Sequence, residues 1–271
     1  MNHPSANRSR QRGFTLIELI VTMAILTIIL TMALQVTESA RNSIKLTESK
    51  SSNDAIARKT FDRINRDLSQ MLVRKDVRIE FKPKSGNDEI AFLTQSKGFT
   101  ASGDIGERGV SLVSYSLQHD PAVGEKLLRG SRGHLFTDTP GDALKLDADL
   151  PFPVIAPDNL QLLSNNIIRF EVEYLIQANT GVTLEVNPPV TSEKLRGLVI
   201  TLVTLDDRGR RAIKPGTLES LAARFPDAVI AKNTLTTWSF NRDAFAKSGI
   251  PGLPKDVLQS IRCYQRTFLI P

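Results

Sequence analysis

Residues 14–34 read FTLIELIVTMAILTIILTMAL, and this stretch decides how the rest of the chain is arranged. Its twenty-one residues carry a single charge, that of Glu18. The hydrocarbon core of a bilayer is about 30 Å thick, and a helix that rises about 1.5 Å per residue needs about 20 apolar residues to cross it. The stretch therefore predicts a transmembrane helix segment, with everything after it on one side of the membrane.

The single carboxylate is the unusual feature of this span. A charge well inside a membrane helix costs about 2.5–3.5 kcal/mol on insertion scales, and residues 14–34 hold no basic side chain that could offset it. We therefore expect Glu18 to pair with a positive group of another molecule. The alternative is that Glu18, the fifth residue of the span, reaches the lipid headgroups on the cytoplasmic side.

The segment before the span, residues 1–13, is a polar leader with three arginines and no acidic residue. A secretory signal has a similar basic start, but its small-residue cleavage site follows the apolar core, whereas Gly13 comes directly before it. The stretch RGFTLIE at residues 12–18 resembles the type IV prepilin motif. That resemblance implies cleavage by prepilin peptidase after Gly13, N-methylation of Phe14, and assembly with other pilin-like subunits in which Glu18 pairs with a neighbour's N-terminal amine.

The charge distribution indicates the orientation of the chain. Arginines that flank a first span stay on the cytoplasmic side, so we expect residues 1–13 in the cytoplasm and the C-terminal domain in the periplasm of a diderm cell. The protein would then be a single-pass inner-membrane protein. The net charge is +6, of which the leader arginines supply three. The remaining basic residues alternate with acidic ones, so nucleic acid is not an expected partner.

The first element continues beyond the membrane. Residues 14–82 contain neither glycine nor proline, so the soluble half of the long helix is expected over 35–73. The expected i, i+4 charge pairs on it are Asp54 with Arg58, Asp62 with Arg66 and Arg63 with Asp67. Phe61, Ile64 and Leu68 recur at helical spacing and predict a face that packs on a downstream sheet. Residues 47–53, TESKSSN, are poor helix formers. They indicate either a frayed turn or a solvent-bridging turn of an unbroken helix.

Residues 74–271 are predicted to form a β-rich domain. Alternating patterns indicate a hairpin at 77–82 and 89–94, a second at 110–117 and 126–129, and strands at 167–176 and 195–205. Further along, we expect a tight turn at 206–209, a short helix at 218–225, a strand at 235–240, and either element at 257–270. The predicted fold class is α+β, a long helix packed on a mainly antiparallel sheet, as in pilins.

Later segments resemble two prepilin-like families. FDRINRDLSQ at residues 61–70 and LRGLVITLVTLDDRGR at 195–210 resemble J-type minor pseudopilins of type II secretion. The hairpin segments AFLTQ and VSLVSYSL, and the ending SIRCYQRTFLIP, are similar to the Verru_Chthon cassette protein C family. Residues 137–159 and 211–256 depart from the J-type pattern as inserts. The resemblance implies a role in protein secretion.

Residue types that often carry catalysis or bind metals occur here in turn-like contexts. They are His119, His134, Asp147, Asp149, Asp206 and Asp207. Two carboxylates in a turn are a poor match for calcium, which takes several oxygen ligands, and no serine or cysteine stands in a nucleophile motif. Cys263 is the single cysteine, so no intrachain disulfide forms. The sequence therefore predicts no catalytic residue, no metal and no cofactor.

A non-enzymatic filament subunit is the function that these observations favour. The alternative is a signal-anchored binding module or enzyme at the cell surface or in the periplasm. An enzyme would require a convergent set of polar residues, and the sequence offers none that can be recognised.

Overall fold

The computed structural model describes residues 15–73, 80–82, 87–96, 98–99, 107–133, 160–187, 194–229 and 234–270. The insert expected at 137–159 lies outside these residues, as do Gly13 and Phe14. The chain divides into two compact units, Met1–Thr47 and Glu48–Pro271.

The first helix, α1, spans Leu16–Leu68 without interruption. The absence of glycine and proline explains this length, because neither helix breaker interrupts the hydrogen-bond ladder. The helix continues through residues 47–53, so the frayed-turn alternative is wrong. The alternative of a solvent-bridging turn is also wrong, since Ser49 and Asn53 are buried.

In the described part of the chain, the first sheet has five antiparallel strands in the order β1-β2-β5-β6-β7. The strands are β1 (Glu80–Lys82), β2 (Glu89–Thr94), β5 (Ser111–Asp120), β6 (Gly124–Gly133) and β7 (Leu160–Ser164). Between β2 and β5 in the sequence, β3 (Gly98–Phe99) pairs with β4 (Glu107–Arg108). Both predicted hairpins are confirmed, with β1 pairing β2 and β5 pairing β6.

The second sheet, as far as its residues are described, has four antiparallel strands in the order β11-β10-β8-β9. The strands are β8 (Ile167–Ala178), β9 (Gly181–Glu185), β10 (Leu195–Thr204) and β11 (Arg262–Leu269). The apolar segment predicted at 195–205 is a central strand of this sheet, and ten of its residues form β10. Residues 257–270, for which either element was expected, contain the end of a short helix and then β11.

The second half of α1, residues 49–68, packs against the second sheet and closes the main core, as its apolar face predicts. We call it the docked half. The rings of Phe61 and Phe268 lie 5.9 Å apart between centroids, and Ile64 and Leu68 are buried. Side chains of both sheets complete this core: Phe92, Tyr115, Phe170, Val172, Tyr174, Leu198 and Ile200. The predicted α+β class is therefore confirmed.

Among the described residues between β10 and β11 there are four helices. They are α2 (Asp207–Ala212), α3 (Pro215–Ala222), α4 (Thr234–Ser248) and α5 (Lys255–Ser260). The tight turn expected at 206–209 is wrong, because Asp206 instead caps α2 by accepting a hydrogen bond from the Gly209 amide at 2.6 Å. The short helix expected at 218–225 is confirmed in α3, although α3 ends earlier.

The strand expected at 235–240 is also wrong, because these residues lie inside α4. Their β-branched and aromatic composition favours a strand locally, but tertiary packing decides otherwise. Trp238 is fully buried, packs edge-on against Phe225 at 6.0 Å, and donates its indole N–H to the Pro226 carbonyl at 2.8 Å. A second core therefore covers the other face of the second sheet. Its members include Ile168, Val203, Leu218, Phe225, Trp238 and Leu258.

Candidate functional site

The first half of α1 presents a continuous exposed surface. Every residue from 15 to 48 is exposed, and the most apolar part of this helix has none of its residues buried. The helix is long and apolar enough to cross a membrane. Because apolar surface of this extent is unfavourable in water, its side chains require lipid or another protein as their surroundings.

Threonine hydroxyls within this half are satisfied by the helix itself. Thr22 donates to the Leu19 carbonyl at 2.9 Å and Thr27 to the Met23 carbonyl at 2.8 Å. Thr31 bonds in the same way, at 2.8 and 3.0 Å, to carbonyls three and four residues earlier. These threonines can therefore enter hydrocarbon without an unsatisfied hydroxyl.

Glu18 is exposed in the first turn of α1. Its backbone amide donates to the Thr15 carbonyl at 3.1 Å, and the positive end of the helix dipole favours a carboxylate at this position. None of the ion pairs between described residues involves Glu18. Pairing with another molecule therefore stays a prediction, and the two processing residues, Gly13 and Phe14, lie outside the described part of the chain.

The second half of α1 begins with a buried polar junction at Asn53. Its side-chain amide donates to the Ser260 carbonyl at 2.9 Å and to the Ser49 carbonyl at 3.0 Å. Its side-chain oxygen accepts from the Thr204 hydroxyl at 2.7 Å. Asn53 thus joins α1 to the ends of β10 and α5. Sequence reasoning missed this residue, because it interpreted the polar stretch only as weak helix.

The end of α1 is fixed by a buried ionic cluster. Asp67 receives two hydrogen bonds from Arg129, at 2.6 and 3.1 Å, and a third from the Tyr115 hydroxyl. Burial, with Asp67 beside it, raises the pKa of Tyr115 far above its usual value. Burial alone would lower the pKa of Arg129, but its bonds to Asp67 outweigh this and raise it. Arg129 therefore keeps its charge, and its bonds to Asp67 connect α1 to the middle of the first sheet.

Two further carboxylates of α1 bind β11 rather than their own helix. Asp54 accepts from the Tyr264 hydroxyl at 2.5 Å, and Asp62 accepts from Arg266 at 2.8 Å. The expected i, i+4 ion pair of Asp54 with Arg58 is therefore wrong, because a tertiary partner takes the carboxylate.

The expected pair of Asp62 with Arg66 is wrong for the same reason, because the Asp62 carboxylate binds Arg266 and Arg66 donates instead to the Asp62 backbone carbonyl at 3.3 Å. The third expected pair, Arg63 with Asp67, is present at 3.7 Å. A further ion pair joins Glu48 to Arg208 of α2 at 2.8 Å.

The residues weighed for catalysis or metal binding have structural partners where they are described. His119 lies 3.0 Å from a Glu125 oxygen, and Asp207 accepts from Asn166 at 2.6 Å. Burial raises the pKa of the Cys263 thiol to about 12. The described part of the chain holds no group of three or more His, Cys, Asp or Glu that could bind a metal. His134, Asp147 and Asp149 lie outside it.

Comparison with known proteins agrees with the N-terminal motif. Residues 8–34 match the family model described as the prokaryotic N-terminal methylation motif, which confirms the predicted prepilin-type N-terminus. Among solved structures, the chain is similar to a type IV-like pilin from Thermus thermophilus at 17% identity, with a TM-score of 0.37. That likeness covers 80% of this chain and 94% of the other. No curated protein matches the chain.

Proposed function

We propose that this chain is a non-enzymatic subunit of a pilin-like filament, cut by prepilin peptidase after Gly13 and assembled through α1. The observation that carries this proposal is the first half of α1, which follows a methylation motif and is apolar and exposed on all sides. Before assembly the subunit is stored in the inner membrane, with its N-terminus in the cytoplasm and its β domain in the periplasm. Assembly exchanges lipid around the helix for the helices of other pilin-like subunits.

Glu18 has a defined role in this proposal. Cleavage after Gly13 creates a positive amine on Phe14, and N-methylation keeps that charge. When helices stagger in a filament, the amine of one subunit comes to the depth of Glu18 in its neighbour. A buried ion pair that loses one partner leaves the other charge stranded, at a cost of about 3–5 kcal/mol. The pairing would therefore fix the axial offset between neighbouring helices as well as the strength with which the subunits associate.

The contacts of residues 49–68 support the idea that the β domain stays attached to α1 when the helix moves from the membrane into a filament. The buried side chains of Asn53 and Asp67 bind three strands and a helix of the domain. A subunit whose helix enters a filament would thus display its β domain in a fixed orientation relative to the docked half of α1.

A role in protein secretion is favoured over a role in a pilus. Many type IV pilins carry a disulfide near the C-terminus, whereas secretion pseudopilins usually lack one, and Cys263 is the single cysteine of this chain. The J-type resemblance of residues 61–70 and 195–210 favours the same assignment.

Mass spectrometry of membrane-extracted protein tests the processing step. In cells that contain prepilin peptidase, we expect a mature N-terminus at methylated Phe14. The Gly13→Glu variant should stay uncut, because the peptidase must accommodate the residue before the scissile bond with almost no side chain. A parallel preparation from cells without the peptidase controls for other proteases. An intact Met1 start, or a cut beyond Leu34, would overturn the proposal and favour the signal-anchored alternative.

A further inference from the structure

Four charged side chains form a row along one face of α1, between the membrane span and the docked half. They follow one another at steps of three and four residues: Glu38, Arg41, Lys45 and Glu48. Since an α-helix turns by about 100° per residue, the four lie within an arc of about 80°. All four are exposed. We call this row the charged stripe.

The chain itself does little to neutralise the charged stripe. None of the ion pairs between described residues involves Glu38, Arg41 or Lys45. Glu48 binds Arg208 of α2, but 57% of its side chain stays exposed. Arg41 and Lys45 are four residues apart on the helix, a spacing at which two like charges destabilise it. Negative charge from another molecule beside these two residues would therefore be favourable.

A second copy of the same helix can supply that charge. Both copies are anchored by the same span in the same membrane, so their helices run parallel. In register, each charge of the stripe faces its own counterpart, and like charges repel. A slide of seven residues brings Glu38 of one copy level with Lys45 of the other. The same slide brings Arg41 level with Glu48, so both pairs are of opposite sign.

A slide of seven residues suits the helix better than the other complementary slide. Seven residues are close to two full turns at about 3.6 residues per turn, so the members of each pair share a face. A slide of three residues also pairs opposite charges, Glu38 with Arg41 and Lys45 with Glu48. However, it rotates the paired positions by about 60° relative to each other. It also brings Arg41 to within about 1.5 Å, along the axis, of the level of Lys45 in the other copy.

We propose that the charged stripe is a docking surface for a second copy of this chain, displaced by seven residues, or about 10.5 Å, along the helix axis. Glu38 of one copy binds Lys45 of the other. Arg41 of the first copy likewise binds Glu48 of the second. This inference rests on the proposed filament function, and it adds the register in which two copies of α1 associate.

The charged stripe also acts while the subunits are stored in the membrane. There the spans of two copies lie at one depth, so their stripes face each other in register and repel. Displacement of one copy outward replaces this repulsion by attraction. It has the same direction as the displacement that brings the amine of Phe14 to the depth of a neighbour's Glu18. The stripe therefore favours association in the filament over association in the membrane.

Zero-length cross-linking tests the register. A carbodiimide joins a lysine amine to a carboxylate, with loss of water, when the two groups are in contact. Two full-length copies with different C-terminal tags are expressed in the native cells, one with Lys45→Arg and the other with Glu38→Gln. Because the first keeps only Glu38 and the second only Lys45, this link can form only between copies. We expect a covalent dimer that carries both tags, in which mass spectrometry finds Glu38 joined to Lys45.

Two substitutions at Arg41, each made in both copies, measure the electrostatic contribution. Arg41→Glu places a carboxylate beside Glu48 of the other copy, and the yield of the Glu38–Lys45 link should fall about fivefold, as for the loss of an exposed ion pair. Arg41→Lys keeps the charge, so the yield should stay within about twofold. It also provides an amine that should form a second link, to Glu48. The fluorescence of Trp238, the single tryptophan, reports whether each variant is folded.

Three results would overturn the inference. A dimer in which Lys45 is joined to Glu48 would show the slide of three residues instead. An unchanged yield with Arg41→Glu would show that charge does not hold the copies together. Absence of a doubly tagged dimer, in cells where the mature N-terminus is methylated Phe14, would show that the neighbours of α1 are other subunits and would leave the proposed function intact. A chain that keeps Met1 would instead end the proposed function, and this inference with it.

Discussion

Residues 16–48 and residues 49–68 belong to one helix, yet their side chains meet different surroundings. The first half is exposed on every side, although much of it is strongly apolar. The second half is more polar but buries eight residues, among them Asn53 and Asp67. The difference shows that hydrophobicity and burial within one chain are separate properties. An apolar surface left exposed requires a second molecule, whereas buried polar groups fix the position of the helix on its own domain.

Removing each half of the helix in turn should give the largest contrast. A fragment that begins near Val36 should be soluble, monomeric and folded, because it loses only the apolar exposed segment. A fragment that begins at Val73 should aggregate, because it leaves the main core open where Phe61, Ile64 and Leu68 were buried. Size-exclusion chromatography and circular dichroism distinguish the two. A well-dispersed fragment from Val73 onward would refute the packing of α1 on the sheets.

The buried charge of the second half should be next in effect. Asp67→Ala leaves Arg129 buried without its carboxylate, and we expect the free energy of unfolding to fall by about 3–5 kcal/mol. Urea unfolding followed by Trp238 fluorescence measures the change. Asp62→Ala is the matched control, because its carboxylate is about half exposed and should contribute about 1 kcal/mol or less. Equal losses in both variants would contradict the role given to the buried cluster.

One leucine from each half gives a direct comparison of burial. Leu68 is 1% exposed and Leu26 is 63% exposed. Leu68→Ala should lower the free energy of unfolding by about 2–5 kcal/mol, whereas Leu26→Ala should leave the unfolding of the β domain unchanged. The same urea titration in detergent measures both. Similar effects at the two positions would mean that the halves are not energetically distinct.

A smaller, pH-dependent effect is expected from a carboxyl group buried in the second sheet. Burial, with the charge of Asp88 nearby, raises the pKa of Glu171 from 4.5 to about 8. Between these values the unfolded chain loses the proton that the folded chain keeps, so the contribution of Glu171 to stability is fully present below about pH 4.5 and is lost as the pH rises toward 8. Glu171→Gln should reduce this slope in unfolding experiments at pH 5 and pH 8. A slope that is fully retained would show that Glu171 does not cause it.

The exposed half should show its importance in assembly and not in folding. Glu18→Gln should insert into the membrane, be cleaved, and leave the unfolding of the β domain unchanged. It should nevertheless fail to co-purify with other prepilin-like subunits, since the amine of a neighbour would lack its partner. If Glu18→Gln assembles as well as the parent protein, the glutamate serves recognition by the peptidase or the methylating activity instead.

Local patterns were sufficient for the elements whose signal is local. The long run without glycine or proline predicted α1, alternation predicted the first hairpin, and a nearly continuous apolar run predicted β10. The cleavage motif was found for the same reason, since Gly13, Phe14 and Glu18 lie within a few residues of one another. The family match at residues 8–34 depends on the same short stretch.

Long-range contacts account for what the sequence did not reveal. Asn53 bonds to residues 151 and 207 positions away, and Asp67 to one 62 positions away. No periodicity in a short window encodes such pairs. The helix α4 was missed for a related reason, because Trp238 gains its environment from Phe225 and Pro226, which lie in the loop between α3 and α4. The free energy gained by burying Trp238 outweighs the local preference of these residues for a strand.

The polar contacts of Asn53 and Asp67 also determine how the protein would bear a mechanical load. The two residues are fourteen positions apart, which is about 21 Å along a helix. A pull on α1 along its axis would strain both sets of contacts, and the Asp62–Arg266 pair between them, at the same time. When a force acts parallel to a row of contacts, all of them bear it at once. When a force acts at one end of the row, the contacts break one after another. The docked half of α1 is therefore built to transmit tension to the β domain without peeling away from it.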